Sequence, residues 1–257
     1  MSRELEQDFW AALRSVTAAR IGLRRAGASL ATAPLLDFKL AHARARDAVH
    51  EALDEAQLLE DIGRLGVETL AIASAAEDRQ RFLLRPDLGR TLAPGAEERL
   101  APLSGDYDVA FVVADGLSAR AVQTHAQPVL AEAIPALRAQ GWRIGPVVVV
   151  RYGRVAIGDT VGMLLNARCV AMLIGERPGL SAPDSMGAYL TWQPQPDTKD
   201  ADRNCISNIR PDGIDYAQAS FKLLYLLRAV RAQGISGVRL KDNSERLEVA
   251  AQESRRL

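Results

Sequence analysis

DVAFVVAD, residues 108–115, holds six apolar side chains in a row between two aspartates. A strand with one wet face would alternate apolar and polar residues, so this run predicts a strand buried on both faces. Two similar runs follow, VVVVRY (147–152) and CVAMLIGE (169–176). Between them lie LSARAVQTHAQPVLAEAIPALRAQ (117–140), a long helix that Pro128 and Pro135 should kink or split, and the short amphipathic IGDTVGMLLNA (157–167). Apolar strands joined by helical crossovers mark a parallel sheet with helices on both faces. The fold class is α/β: a helical N-terminal region followed by a Rossmann-like, mostly parallel sheet domain.

Working outward, residues 2–80 read as helical. Leu5, Phe9, Trp10, Leu13 and Val16 form one apolar stripe, and DFKLAHARARDAVHEALDEAQLLEDI (37–62) reads as a single long helix without internal proline. RPDLGRTLAPGAEERLAPLSGD (85–106) has three prolines, three glycines and no period, which reads as a connector. The domains are thus a helical region 1–84, a connector 85–106 and the α/β domain 107–257. On the C-terminal side, the polar stretch 193–212 reads as a long loop, of a kind that is often functional. DYAQASFKLLYLLRAVRAQG (215–234) reads as a helix stopped by Gly234, GVRL (237–240) as a last strand, and the charged tail beyond Lys241 as loose.

The 257 residues carry 32 Lys+Arg against 32 Asp+Glu, which argues against a generic nucleic-acid or membrane-surface binder. No apolar run approaches the ~18–20 residues that span a bilayer, and MSRELEQDFWAALRS lacks a secretory apolar segment, so the cytoplasm is the expected location. Between Thr17 and Arg46 lie six bases and one acid; from Asp47 to Asp61 lie six acids and no base. This pattern reads either as solvated helix faces or as a docking surface for a partner chain.

The inventory for autonomous chemistry is thin. VVADGLSA (112–119) has the shape of a nucleotide-binding turn but lacks G-x-G-x-x-G, so Asp115 and Ser118 read as turn and cap residues. His42 and His50 stand at i and i+8, too far apart to share a metal, and His125 sits within a helical pattern. Cys169 falls in an apolar strand and reads as a small buried hydrophobe. No catalytic residue and no metal ligand is assigned. Three positions stand out as candidate binding residues. Glu176 closes CVAMLIGE, at the carboxyl end of a strand, where open α/β sheets bind ligands; the rival reading is an ion pair with Arg177 that organises the turn. Val155, in RYGRVA (151–156), should face the same crevice. Cys205 lies in DRNCISNI (202–209), among Asn and Ser side chains whose simpler role is turn chemistry.

At these residues the sequence resembles the small, or light, subunit of ethanolamine ammonia-lyase. The carriers are RIGLRRAG (20–27), HARARDAV (42–49), RPDLGR (85–90), VVADGLSA (112–119), GERPGL (175–180) and CISNIRPDG (205–213), in order along nearly the whole chain. The resemblance implies a subunit of an adenosylcobalamin-dependent carbon–nitrogen lyase that turns ethanolamine into acetaldehyde and ammonia and is inactive alone. It also implies a large TIM-barrel partner subunit, with the corrinoid held between the two chains. Family cobalamin contacts carry over to Val155, Glu176 and Cys205, the last as a packing contact. Some family members carry an N-terminal extension linked to a bacterial microcompartment, which leaves that compartment as an alternative destination. None of the three histidines stands in D-x-H-x-x-G, so the cofactor is expected to be base-on, keeping its own benzimidazole. A stand-alone Rossmann-like binding or oxidoreductase module and a purely structural assembly subunit are the competing readings.

Overall fold

The computed structural model describes residues 3–244, and side chains from Phe9 onward. In chain order its elements are α1 (Arg3–Ser15), the small hairpin β1 (Arg25–Ala26) and β2 (Ser29–Leu30), α2 (Thr32–His50), α3 (Glu55–Gly63), β3 (Thr69–Ala73), α4 (Arg79–Leu84) and α5 (Ala96–Leu100). Then follow β4 (Val109–Ala114), α6 (Ala119–Ala139), β5 (Ile144–Arg151), α7 (Ile157–Leu164), β6 (Cys169–Gly175), β7 (Met186–Trp192), β8 (Arg203–Ile209) and α8 (Tyr216–Gln233).

Six strands form one sheet in the order β3-β5-β4-β6-β7-β8. β3, β5, β4 and β6 run parallel, β7 runs antiparallel to them, and the edge strand β8, antiparallel to β7, runs in their direction again. The apolar run of β4 splits by the strand's period of two. Val109, Phe111 and Val113 pack with α3, α6 and α8, whereas Ala110, Val112 and Ala114 pack with α5 and α7. Both faces are covered, so all six residues are fully buried. Burying each larger apolar side chain is worth about 1.5–3 kcal/mol, and this strand is the centre of that gain.

α6 runs unbroken in extent through Pro128 and Pro135, opened by Ser118, whose hydroxyl accepts from the Ala121 amide. α8 is capped by Asp215 and closed by Gly234 in the left-handed region, as its sequence indicates.

Four expectations are corrected. The region read as wholly helical contributes β3, paired with β5 in the main sheet, so the sheet takes a strand from before the connector. The helix expected over 37–62 ends at His50, and α3 begins afresh where Asp54 accepts from the Gln57 amide, since an aspartate there competes as an N-cap. Within the expected loop 193–212, residues 203–209 form the edge strand β8, polar because one side of it is wet. GVRL forms a 3-10 turn, Gly237–Arg239, instead of a strand. Residues 245–257, most of the charged tail, lie outside the described residues.

The arm from α1 to α2 is packed differently from the rest. Between Phe9 and Asp47 no residue is buried, and Phe9, Val16, Leu36 and Leu40 each expose half or more of their surface. Its attachment is at the end of α2, where Ala48 is buried and the Val49 carbonyl accepts from Arg79 Nε at 2.6 Å. No described helix is long and apolar enough to cross a membrane.

Candidate functional site: a crevice at the strand ends

β4 leads through α6 to β5 on one side, while β5 leads through α7 to β6 on the other. The connections therefore diverge at β4 and β6, and an open α/β sheet is cleft at such a switch point. A crevice of about 390 Å³ lies there, lined by Gly116, Arg154, Val155, Glu176, Arg177 and Tyr189 among others.

Its floor is a close approach of two turns. Leu117 N–H donates to the Gly175 carbonyl at 3.0 Å. A side chain on Gly116 (φ 51°) would bring its Cβ to 2.3 Å from that carbonyl oxygen, so only glycine fits. Beneath it Asp115 is buried, with Arg79 Nη1 at 3.5 Å. Burial pushes the Asp115 carboxyl up to about 6, while Arg79 and the amides of Tyr152, Gly153 and Gly116 pull the other way. Tyr152 adopts φ 58°, a left-handed conformation unusual for an aromatic residue, in the turn that presents Arg154 and Val155. Arg79 also donates to the Gly116 carbonyl at 2.7 Å, so one guanidinium joins the arm, the buried carboxylate and the crevice floor.

Glu176 leaves the end of β6 and reaches across β7 to β8. Its carboxylate accepts from Ser207 Oγ at 2.5 Å and from the Asn208 amide at 3.2 Å. The crossing passes over Gly187, where an added Cβ would stand 3.0 Å from Oε1. The carboxylate is thus spent partly on β8 and not on a turn-organising pair with Arg177. An ionised carboxylate offers about four lone-pair sites, so acceptor capacity remains beside the crevice.

Tyr189 on β7 pairs in register with Cys205 on β8, so their side chains are neighbours on one face of the sheet. Cys205 is an exposed residue, but local desolvation of its sulfur, with the Glu176 charge nearby, raises the thiol above its ordinary range despite Tyr189, which disfavours the nucleophilic thiolate. Val155 and Glu176 therefore share one crevice, with Cys205 outside it, paired in register with its wall residue Tyr189. Arg154 and Tyr189 were missed by sequence reasoning. The turn motif RYGRVA pointed to the Arg154 position, whereas nothing local marked Tyr189 in MGAYLTW.

The remaining candidates lie elsewhere. His125 is buried in α6, with Nδ1 2.8 Å from the Tyr216 hydroxyl, and burial holds its pKa below the usual range. His42 and His50 are exposed on α2. Cys169 is buried in β6 and its thiol is pushed up to about 12. Among the described residues no group of three or more His, Cys, Asp or Glu could hold a metal ion.

An open cleft at a switch point, lined by acceptors and arginines, places the chain in the class of open α/β domains with a crevice at the carboxyl ends of their strands. Within that class, the chain matches the model of the ethanolamine ammonia-lyase light chain over residues 7–241. It is 52% identical over 243 residues to the ethanolamine ammonia-lyase small subunit of Azotobacter vinelandii, covering 93% of this chain and 90% of that one. With the small subunits of Ralstonia nicotianae and Xanthomonas campestris pv. campestris it shares 54% and 55% identity at the same coverage. The chain belongs to the ethanolamine ammonia-lyase light-chain family.

Proposed function

We propose that this chain is the small subunit of an adenosylcobalamin-dependent ethanolamine ammonia-lyase, working in the cytoplasm as part of a hetero-oligomer with a large TIM-barrel subunit. The complex converts ethanolamine to acetaldehyde and ammonia, and this chain holds one part of the corrinoid in its crevice. The supporting observation is that crevice: Val155 and Glu176 line it together, and Cys205 pairs in register with its wall residue Tyr189. At about 390 Å³ and open to one side, it accepts a fragment of a ligand and falls well short of a corrin macrocycle with its nucleotide tail. A corrinoid seated here needs a second surface to cover it, as a cofactor shared between two chains requires.

The residues present suit such a group. The free lone pairs of Glu176 can accept from the amide side chains that rim a corrin, Val155 gives apolar contact, and the protonated Cys205 adds a weak polar one. When bound, adenosylcobalamin supplies radical chemistry through its cobalt–carbon bond; the protein supplies binding, orientation and exclusion of water. The carboxylate of the crevice, Glu176, is assigned to the cofactor, and among the described residues no cluster of His, Cys, Asp or Glu could hold a metal, so the isolated chain should be inactive. Co-expression with the large subunit and an ammonia-release assay, with and without adenosylcobalamin, tests this. Activity that needs both chains and the cofactor supports the reading; acetaldehyde production by this chain alone contradicts it.

A further inference from the structure

Arg154 lines the crevice beside Val155. Its backbone N–H donates to the Gly89 carbonyl at 2.7 Å, and its guanidinium lies 4.2 Å from the centroid of the Phe82 ring. Nη2 donates to the Phe82 carbonyl at 3.2 Å, and Nε is buried without any hydrogen-bond partner. The planar group is thus fixed by an aromatic shelf and one carbonyl while part of its fork is left unmatched.

No carboxylate neutralises it. Among the described residues neither Arg154, Arg90 nor Arg177 makes an ion pair, and the acid that faces them, Asp115, already has Arg79. Burial, and then the like charges of Arg79, Arg90 and Arg177, lower the Arg154 pKa, with Asp115, itself beside Arg79, acting the other way. Such a cluster destabilises the free protein and is relieved when an anion binds.

We infer that Arg154, with Arg177 on the same crevice wall, is an anion subsite of the crevice, and that its ligand is a phosphodiester. The inference rests on the corrinoid reading above and deepens it. A cobalamin carries amides around its ring and a single phosphodiester in its nucleotide loop. Neutral amides suit the acceptor Glu176. The one fixed negative charge suits the unpaired guanidinium, whose planar fork matches two phosphate oxygens. The crevice therefore offers an amide acceptor, Glu176 on the β6 side, and an anion fork, Arg154 on the β5 side, with Arg177 next to Glu176 at the rim. The N-terminus of α6, which begins two residues beyond Leu117, adds its dipole in the same sense.

The test is equilibrium binding by the assembled complex, with cobalamin, cobinamide phosphate and cobinamide as probes, the last lacking the phosphate altogether. Arg154→Gln should weaken cobalamin and cobinamide phosphate by about tenfold or more and leave cobinamide unchanged. Arg154→Lys should recover part of the loss, because the charge returns without the fork. Arg177→Gln, at the rim, is a second variant that spares the Phe82 shelf and should show the same selectivity with a smaller loss. Equal losses for all three probes, or no loss for any, would overturn the anion subsite. If wild type binds the probes and Glu176→Ala leaves every affinity intact while Arg154→Gln shows the selective loss, the Glu176 assignment fails and the anion subsite stands. If the wild-type complex binds no corrinoid, both readings fail together.

Discussion

The hydroxyl of Ser207 donates to Oε1 of Glu176 at 2.5 Å, although Ser207 sits on β8 and Glu176 at the end of β6, with β7 between them. The carboxylate thus ties the edge strand to the parallel part of the sheet while standing at the mouth of the crevice. The structural role of Glu176 and the binding role proposed for it can be separated by experiment.

Replacing Glu176 by Ala should lower the corrinoid affinity of the complex about tenfold, the worth of one charge-assisted hydrogen bond. Stability should fall by only about 1 kcal/mol, because Ser207 and Asn208 are exposed and water can replace the lost acceptor. Gly187→Ala, which crowds Oε1 without touching the charge, should reproduce the affinity loss. Corrinoid titration beside thermal melts decides: unchanged affinity with a collapsed Tm would reduce Glu176 to a strand clamp.

Asp115 predicts a pH signature. Its folded pKa, about 6, lies above the ordinary 3.8, so between those values the native state holds a proton that the unfolded chain has released. Its contribution to stability is therefore present below about pH 4 and is lost as pH rises through 6. The size is at most about 3 kcal/mol, from a shift of roughly two units at 1.36 kcal/mol each. Relative to wild type, Asp115→Asn should gain stability across pH 4 to 6 and then level off. A difference that stays flat over this range would show that Asp115 titrates normally.

None of the three histidines lines the crevice, so none should ligate cobalt. With nitrogen-15 histidine in this chain alone, the cob(II)alamin spectrum of the reconstituted complex should show splitting only from the cofactor's own nitrogen. Hyperfine splitting from labelled histidine would contradict this, and replacing His42, His50 and His125 in turn would find the ligand.

The exposed arm carries its own prediction. Arg20, Arg24 and Arg25 are exposed or nearly so, in a segment that buries nothing against the body before Ala48. Reversing all three to Glu should slow association with the large subunit by about tenfold at low salt and flatten its salt dependence. Unchanged kinetics across ionic strength would leave the arm as a solvated face.

The sheet's centre was legible because β4, β5 and β6 are buried on both faces, which forces uninterrupted apolar runs. The edges were not. β3 (TLAIA) is short and mostly half-buried, and β8 (RNCISNI) faces water, so neither carries the pattern that burial imposes. Glu176 could be picked out as a candidate because it directly follows β6, and Val155 because it lies in the turn beyond β5, since the ends of parallel strands are where such sheets bind. The pairing of Arg79 with Asp115 and of Tyr189 with Cys205 joins residues distant in sequence, and no local period announces such contacts. The exit of α2 at His50 depended on a single capping aspartate, Asp54, inside an otherwise helical stretch.

The central claim is that this crevice seats part of the corrinoid in the assembled enzyme. Filling it with Val155→Trp, while following assembly with the large subunit by sedimentation, and then measuring adenosylcobalamin affinity tests that claim most directly. The account predicts a complex of wild-type size that binds the cofactor at least about tenfold more weakly, since a bulky ring would occupy the space of the ligand. Undiminished affinity in a fully assembled complex would contradict it.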